Sequence, residues 1–274
     1  MLRSFIKKIV KRFSSIKLYP YRIPVSDEHL FDNKTALITG GCGGIGYAIA
    51  KMLLSKGCNV IITGTNDSKL ASALSKLKGG KGLKLDLLNI SSIDYVVEDA
   101  FALSETGKIE ILINAAGINN RDSFLDTTVE DFEKIMTVNL EAAYFLSQSV
   151  AKRMIKLKIK GHILNISSSS ALRPAWSPYR LSKCALTGLT KGLADVLLPY
   201  GIIVNAIGPG PTATSMMAKN EGDSIFNEEN PSGRYATPEE IAYLATYLVS
   251  DMANLVVGDT FYITGGSGTI SYHK

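Results

Sequence analysis

Apolar positions along the chain follow two alternating rhythms. From Lys34 onward, short β-rich apolar runs alternate with longer stretches in which apolar residues return every third or fourth position. The short runs predict strands at 35–39, 59–63, 82–86, 110–114, 161–167, 202–207 and 260–264. The longer stretches predict helices over 44–56, 67–77, 90–104, 128–157, 178–199 and 237–250. Strands alternating with helices imply an α/β fold, a doubly wound, seven-stranded, mainly parallel sheet with helices on both faces. Residues 212–236, weakly periodic and rich in small or polar side chains, predict a mobile loop with a short helix. Nothing in 34–274 reads as a repeat, a low-complexity segment or an interdomain linker, so this span is expected to be one domain.

Residues 1–33 differ. Leu2, Phe5, Ile6, Ile9, Val10 and Phe13 recur at helical spacing, which gathers them on one stripe with cations opposite. Arg3, Lys7, Lys8, Lys11, Arg12, Lys17 and Arg22 put seven of the 30 basic residues, and none of the 25 acidic ones, into residues 1–25. A basic amphipathic helix of this kind suits peripheral attachment to an anionic membrane surface, an organellar transit segment, or packing on the body or on a neighbouring subunit. Residues 19–33, with Tyr19-Pro20-Tyr21-Arg22-Ile23-Pro24, read as an extended tether, because each proline disfavours helix at the residue before it.

The formal charge of +5 is therefore local to the extension, and the rest of the chain is close to neutral, which argues against a nucleic-acid partner. A length of 274 residues with 46% hydrophobic composition can bury a full core. No apolar run approaches the roughly 20 residues of a membrane span, and no secretory signal pattern precedes the body. The three cysteines, Cys42, Cys58 and Cys184, lack the spacing of a disulfide framework or metal site. A reducing, cytoplasmic setting is expected, with no metal.

The first strand, Thr35 to Thr39, runs into Gly40-Gly41-Cys42-Gly43-Gly44-Ile45-Gly46, after which a helix begins. Glycines there permit a tight turn and let backbone N–H groups approach a pyrophosphate at a helix N-terminus, as in Rossmann folds. The glycines fit GxGxxG from Gly41, and TGxxxGxG and TGxxGxxG from Thr39, so the turn alone leaves the kind of dinucleotide site open.

Further motifs follow in order. Asp86 ends the third predicted strand and Asn114-Ala115-Ala116-Gly117 the fourth; Asn139 stands in Thr137-Val138-Asn139. Ser168 lies in Asn165-Ile166-Ser167-Ser168, Tyr179 and Lys183 form YxxxK, and Pro209-Gly210 precedes Thr212 and Thr214. With Thr39, Gly40, Gly44, Ile45 and Gly46, this ordered set over 34–267 resembles the short-chain dehydrogenase/reductase family. The likeness is to its single-domain branch of 3-oxoacyl-acyl-carrier-protein reductases and sugar or polyol dehydrogenases. The resemblance implies a tetrad of Asn139, Ser168, Tyr179 and Lys183, an adenine contact at Asp86, and a nicotinamide clasp at Pro209, Gly210, Thr212 and Thr214. It also implies that Asn139 anchors a water relaying protons through Lys183. Two departures stand out. Ala115 replaces an asparagine of NNAG, and Ile263-Thr264-Gly265-Gly266 lacks the acid of VDGG.

Tyr179 and Lys183, four apart on a helix, share a face. A neighbouring ammonium and an oxidised nicotinamide favour the phenolate, so Tyr179 is expected below its ordinary pKa of about 10 and able to exchange a proton with a carbonyl or alcohol. Ser168, chosen within the run Ser167 to Ser170, is expected to hold the substrate oxygen. His162 reads as structural.

Dinucleotide sites selective for NAD place an acid at the end of the second strand. Here Ile62-Thr63-Gly64-Thr65-Asn66 has Gly64 there, and Thr65 where many relatives carry arginine. With Thr65, Asn66 and Ser68 as hydrogen-bond donors and Lys69 nearby, NADP(H) is favoured over NAD(H). Asn119, Ser169, Trp176, Met216 and Met217 are expected around a small carbonyl or alcohol substrate. The helices at 128–157 and 178–199 resemble those that pair subunits in the family, which implies a homodimer or homotetramer. Two rival readings remain, a sugar-nucleotide dehydratase or epimerase of the family's extended branch and a dinucleotide-binding sensor without catalysis.

Overall fold

The computed structural model describes residues 29–120, 123–220 and 222–271. The basic amphipathic stretch and most of the tether lie outside them. Phe31, expected in the tether, is fully buried in the core, and its N–H donates to the carbonyl of Lys56.

Strands β1 (Thr35–Thr39), β2 (Asn59–Gly64), β3 (Lys81–Lys84), β4 (Ile111–Asn114), β5 (Gly161–Ile166), β6 (Ile202–Pro209) and β7 (Thr260–Ile263) form one sheet in the order β3-β2-β1-β4-β5-β6-β7. Every pairing is parallel. The expected "mainly parallel" sheet is thus entirely so, because each strand is joined to the next along the chain by a crossover. Helices are α1 (Gly44–Leu54), α2 (Asp67–Leu77), α3 (Ile93–Leu103), α4 (Val129–Met136), α5 (Ala142–Lys156), α6 (Pro178–Leu197) and α7 (Pro238–Leu248).

Side chains alternate across the strands and divide the core in two. Ala36, Ile38, Ile62 and Ile113 face a cluster completed by Ile49 and Leu53 of α1, Leu70 of α2 and Ile241 of α7. Leu37, Ile61 and Leu112 face the other way, onto Val97 of α3, Leu146 and Val150 of α5, and Leu197 of α6. Local signals set the helix starts. Asn66, Thr128 and Ser177 each accept a first-turn N–H, Pro178 opens α6, and Thr237 with Glu240 forms a capping box for α7.

Two expectations change. The single helix predicted over 128–157 is interrupted by a π-helical stretch, Thr137–Glu141, with Asn139 buried in it. A wider turn over five residues shifts the phase of the apolar stripe only locally, so the pattern does not show it. The loop at 212–236 carries a 3-10 turn at Ser215–Met217 and is pinned at its ends by a bridge between Thr212 and Ala236. Among the described residues no helix is long and apolar enough to cross a membrane.

His162, in β5, is buried, with Nε2 3.2 Å from Asn254 Oδ1. Burial, aided by Lys34 and opposed by Asp251 and Asn254, pushes it down to about 4. The unfolded chain takes up that proton near pH 6.5, so His162's contribution is complete above that pH and drains away as pH falls towards 4. The window corresponds to about 3 kcal/mol. Urea unfolding at pH 7 and pH 4.5 is expected to show a smaller acid loss for His162→Gln than for the unchanged protein; equal losses would refute this role.

Candidate functional site

The sheet order reverses direction between β1 and β4, which opens a crevice at their carboxyl ends. Gly40, at φ +66°, passes so close to β4's exit that a Cβ there would lie 2.9 Å from Ala116 Cα. A Cβ on Gly46 would lie 2.5 Å from the carbonyl oxygen of Gly40. No side chain caps the first turn of α1, so its N–H groups remain for a phosphate. Ile45 and Thr214 face this turn, Thr214 Cγ2 lying 3.4 Å from a Cβ built on Gly44. The cradle fits a dinucleotide.

Two cavities meet at Gly117. The first, about 310 Å³, is lined by Gly40, Gly64, Thr65, Asn66, Lys69 and Asp86 among others. Asp86 stands two residues beyond β3 rather than at its end, in an exposed turn where Oδ1 accepts from Leu88 N at 3.0 Å. Asn66 and Ser68 were expected to donate outward. Ser68 does not: its Oγ donates to Asn66 Oδ1 at 2.6 Å, which also accepts from Lys69 N at 2.9 Å, so the cap of α2 consumes the Ser68 proton and leaves the Asn66 Nδ2 donor unused by it. A side chain on Gly64 would overlap Cys42 Sγ, so the site of the missing acid is filled by a thiol.

The second cavity, about 260 Å³, brings together Ser168, Tyr179, Lys183, Pro209, Gly210 and Thr212. Tyr179 lies in the first turn of α6 with Lys183 one turn on, its Nζ 5.8 Å from the phenol ring centroid and donating to Ile166 O at 2.8 Å. Lys183 is buried, and loss of water lowers it to about 8. Tyr179 and Ser168 line this cavity together. Within the serine run, Ser167 Oγ turns away and donates to Lys183 O at 3.1 Å, while Ser168 Oγ accepts from Ser170 N at 3.1 Å. The expected lowering of Tyr179 is not what the protein alone produces. Burial raises it above the ordinary phenol value, and only the neighbouring Ser168 hydroxyl opposes that.

Asn139 approaches from the π-helical stretch. Its Nδ2 donates to Ile118 O at 2.9 Å and to Ser182 Oγ at 3.1 Å, and its Oδ1 accepts from Ile118 N at 2.8 Å. It thereby clamps the strand exit onto α6. A Cβ on Gly117 would lie 3.4 Å from both Asn139 Oδ1 and Lys183 Nζ.

Three expected contacts fall elsewhere. The Thr39 hydroxyl is buried and accepts from the N–H groups of Ala115 and Ala116, each at 3.2 Å, so it braces the loop. Asn114 points into the core, where Nδ2 donates to Asn165 Oδ1 and Ser147 Oγ. Trp176 does not line the Tyr179 cavity. It lies in an apolar groove with Phe124, Phe132 and Leu181, stacked 4.5 Å from the Arg180 guanidinium, because the turn before Ser177 points it away.

Residues 40–268 match the family model described as Enoyl-(Acyl carrier protein) reductase. The chain is 35% identical over 242 residues to the 3-oxoacyl-[acyl-carrier-protein] reductase of Aquifex aeolicus, across 85% of this chain and 96% of the relative. It is 34% identical over 240 residues to the gluconate 5-dehydrogenase of Gluconobacter oxydans, across 84% and 93%. A solved gluconate 5-dehydrogenase from Burkholderia cenocepacia, in complex with NADP and tartrate, superposes with a TM-score of 0.80 at 29% identity, across 89% of this chain and 99% of that one. The chain belongs to the short-chain dehydrogenase/reductase family.

As an NAD(P)-dependent oxidoreductase of that family, it carries lining residues that sequence reasoning passed over. Lys134 and Cys42 line the first cavity, and Arg173 and Ser267 the second. Arg173 stands six residues before Tyr179 in a loop, where charge is ordinarily solvated; Ser267 is brought in only by the path of the chain after β7.

Gly46→Ala is expected to lower stability by about 1–3 kcal/mol through the clash with Gly40. Gly43, whose Cβ would meet nothing within 4 Å, should tolerate alanine within about 0.5 kcal/mol. Chemical denaturation checks both, and equal effects would show that the turn is not close-packed.

Proposed function

We propose that this short-chain dehydrogenase/reductase is an NADP(H)-preferring enzyme that interconverts a carbonyl and a secondary alcohol, with Ser168 and Tyr179 as catalytic residues and Lys183 and Asn139 as positioning residues. The observation that carries this reading is the meeting of Ser168, Tyr179 and the buried Lys183 in one cavity. When bound, the nicotinamide supplies or accepts the hydride. In reduction, Tyr179 gives its phenolic proton to the substrate oxygen as the carbonyl π bond breaks, and Ser168 holds that oxygen while charge develops on it. Lys183 then returns a proton to the phenolate. Asn139, by fixing Ile118 and Ser182, keeps α6 and the loop after β4 in register. The relatives named as 3-oxoacyl and gluconate enzymes support a 3-oxoacyl thioester or a sugar-type substrate.

Gly64 and Lys69 in the first cavity support the preference for NADP(H), because a 2′-phosphate at the end of β2 meets Gly64 in place of an acid, with a cation alongside; Asp86, the acid of that cavity, lies beyond β3. Apolar side chains exposed on α4 to α6, Phe132, Tyr144, Phe145 and Leu181, support a homo-oligomer built through these helices.

The first test is cofactor titration by fluorescence, followed by turnover with a panel of ketones and 3-oxoacyl thioesters. Tyr179→Phe is expected to lower kcat/KM by about 10²–10⁴-fold while NADPH still binds; full turnover in this variant would remove Tyr179 from the chemistry, and NADPH binding with no turnover by the unchanged protein would leave the sensor reading standing. Reduction should decline as pH rises through about 8, where Lys183 loses its proton. For cofactor choice, Cys42→Ala combined with Gly64→Asp makes room for a carboxylate, and about a tenfold or larger swing of the Kd ratio towards NADH is expected. No swing would place the selectivity elsewhere.

A further inference from the structure

Arg173 is the cation of the Tyr179 cavity that the proposed chemistry does not use. It lines that cavity beside Ser168 to Ser170, at its solvent-exposed rim. Among the described residues no carboxylate lies within ion-pair distance of it, whereas Arg153 and Arg234 each have a glutamate partner. Its position is nevertheless defined. Arg173 Nη2 donates to Ser267 Oγ at 3.0 Å, a hydroxyl that is itself buried and lines the same cavity. Gly268, at φ +91°, lets the chain after β7 pass so close that a Cβ there would lie 3.5 Å from Arg173 Nε.

A guanidinium held on one side, with its remaining N–H groups unmatched by any acid among the described residues, is built to receive a planar anion. We infer that Arg173 reads a carboxylate on the substrate, so that the chain acts on short hydroxy or oxo acids in preference to neutral ketones; this rests on the oxidoreductase reading above. A phosphate on a thioester carrier is the other source of such an anion. That phosphate sits a long pantetheine arm away from the reacting carbonyl, whereas Arg173 shares one cavity of about 260 Å³ with Tyr179. Ser267 acts as a positioning residue for the guanidinium.

The test uses the full chain. Tartrate is titrated calorimetrically with and without NADPH, and kcat/KM is measured for a six-carbon oxo acid, the neutral ketose of equal length, and a 3-oxoacyl thioester of coenzyme A. The unchanged protein should bind tartrate and prefer the oxo acid to the ketose. Arg173→Met should lose tartrate binding and lower the acid-to-ketose ratio by about 10–100-fold, chiefly through KM, with the Kd for NADPH unmoved. Arg173→Lys should restore part of the ratio, and Ser267→Ala should lower it less than Arg173→Met does. An unchanged ratio and tartrate affinity in Arg173→Met would overturn the assignment. So would a preference for the coenzyme A thioester over both other substrates that only the Arg173→Met variant loses, since the anion would then be the carrier's phosphate. Failure of NADPH to bind would sink the oxidoreductase reading separately, and the tartrate titration without cofactor would still decide the role of Arg173.

Discussion

At the carboxyl end of the sheet, two chain segments pass within van der Waals contact of one another, Gly40 leaving β1 and Ala116 leaving β4. A parallel sheet whose crossovers run outward in both directions from β1 and β4 must open there, and the width of the opening is set by how closely these exits approach. Thr39 fixes that approach with one hydroxyl oxygen that accepts two N–H groups of the neighbouring loop. The positions of Gly117, Asn139 and Lys183 follow, because each is tied to the path of that loop or to the helix it abuts. The site is therefore a property of the sheet's topology before it is a property of individual side chains.

Its electrostatics follow from the same enclosure. Exclusion of water raises the phenol of Tyr179 and lowers the ammonium of Lys183, so two proton affinities that are alike in water move apart. In the protein alone, Tyr179 holds its proton at neutral pH, the state a donor to a carbonyl needs. Oxidation needs the opposite state, and the protein's own groups do little to favour it. Burial thus keeps the phenol protonated in the protein alone, and a positive charge brought in by a ligand would favour the phenolate.

Much of this was legible in the sequence because it depends on local, short-range constraints. Strands buried on both faces announce themselves as continuous apolar runs, and their bounds were read to within two residues at each end; glycines crowded by backbone leave a spacing that survives in the linear text. YxxxK encodes one helical turn, and the structure keeps its two side chains on one cavity. What was not legible depends on direction or on distant chain segments. Trp176 stands three residues before Tyr179, yet the turn ahead of α6 sends the two to different cavities. Asn114 and Thr39 sit within recognised motifs, but burial turns their side chains inward. Ser267 reaches Arg173 across 94 residues of sequence, a separation no periodicity reports.

The inward turn of Asn114 has a consequence for how the fold is specified. Asn114 and Asn165 are register partners on adjacent strands, and one amide donates to the other at 2.9 Å. Asn114 also donates to Ser147 on α5, whose proton goes to Ala143 O; Asn165 donates to Thr190 on α6, whose proton goes to Leu186 O. Every proton in this relay has one allowed direction, so it works as a key cut for a single alignment of two strands and two helices. A slip of one residue would leave several polar groups stranded in hydrocarbon, a penalty the surrounding aliphatic side chains, nearly interchangeable among themselves, could not impose.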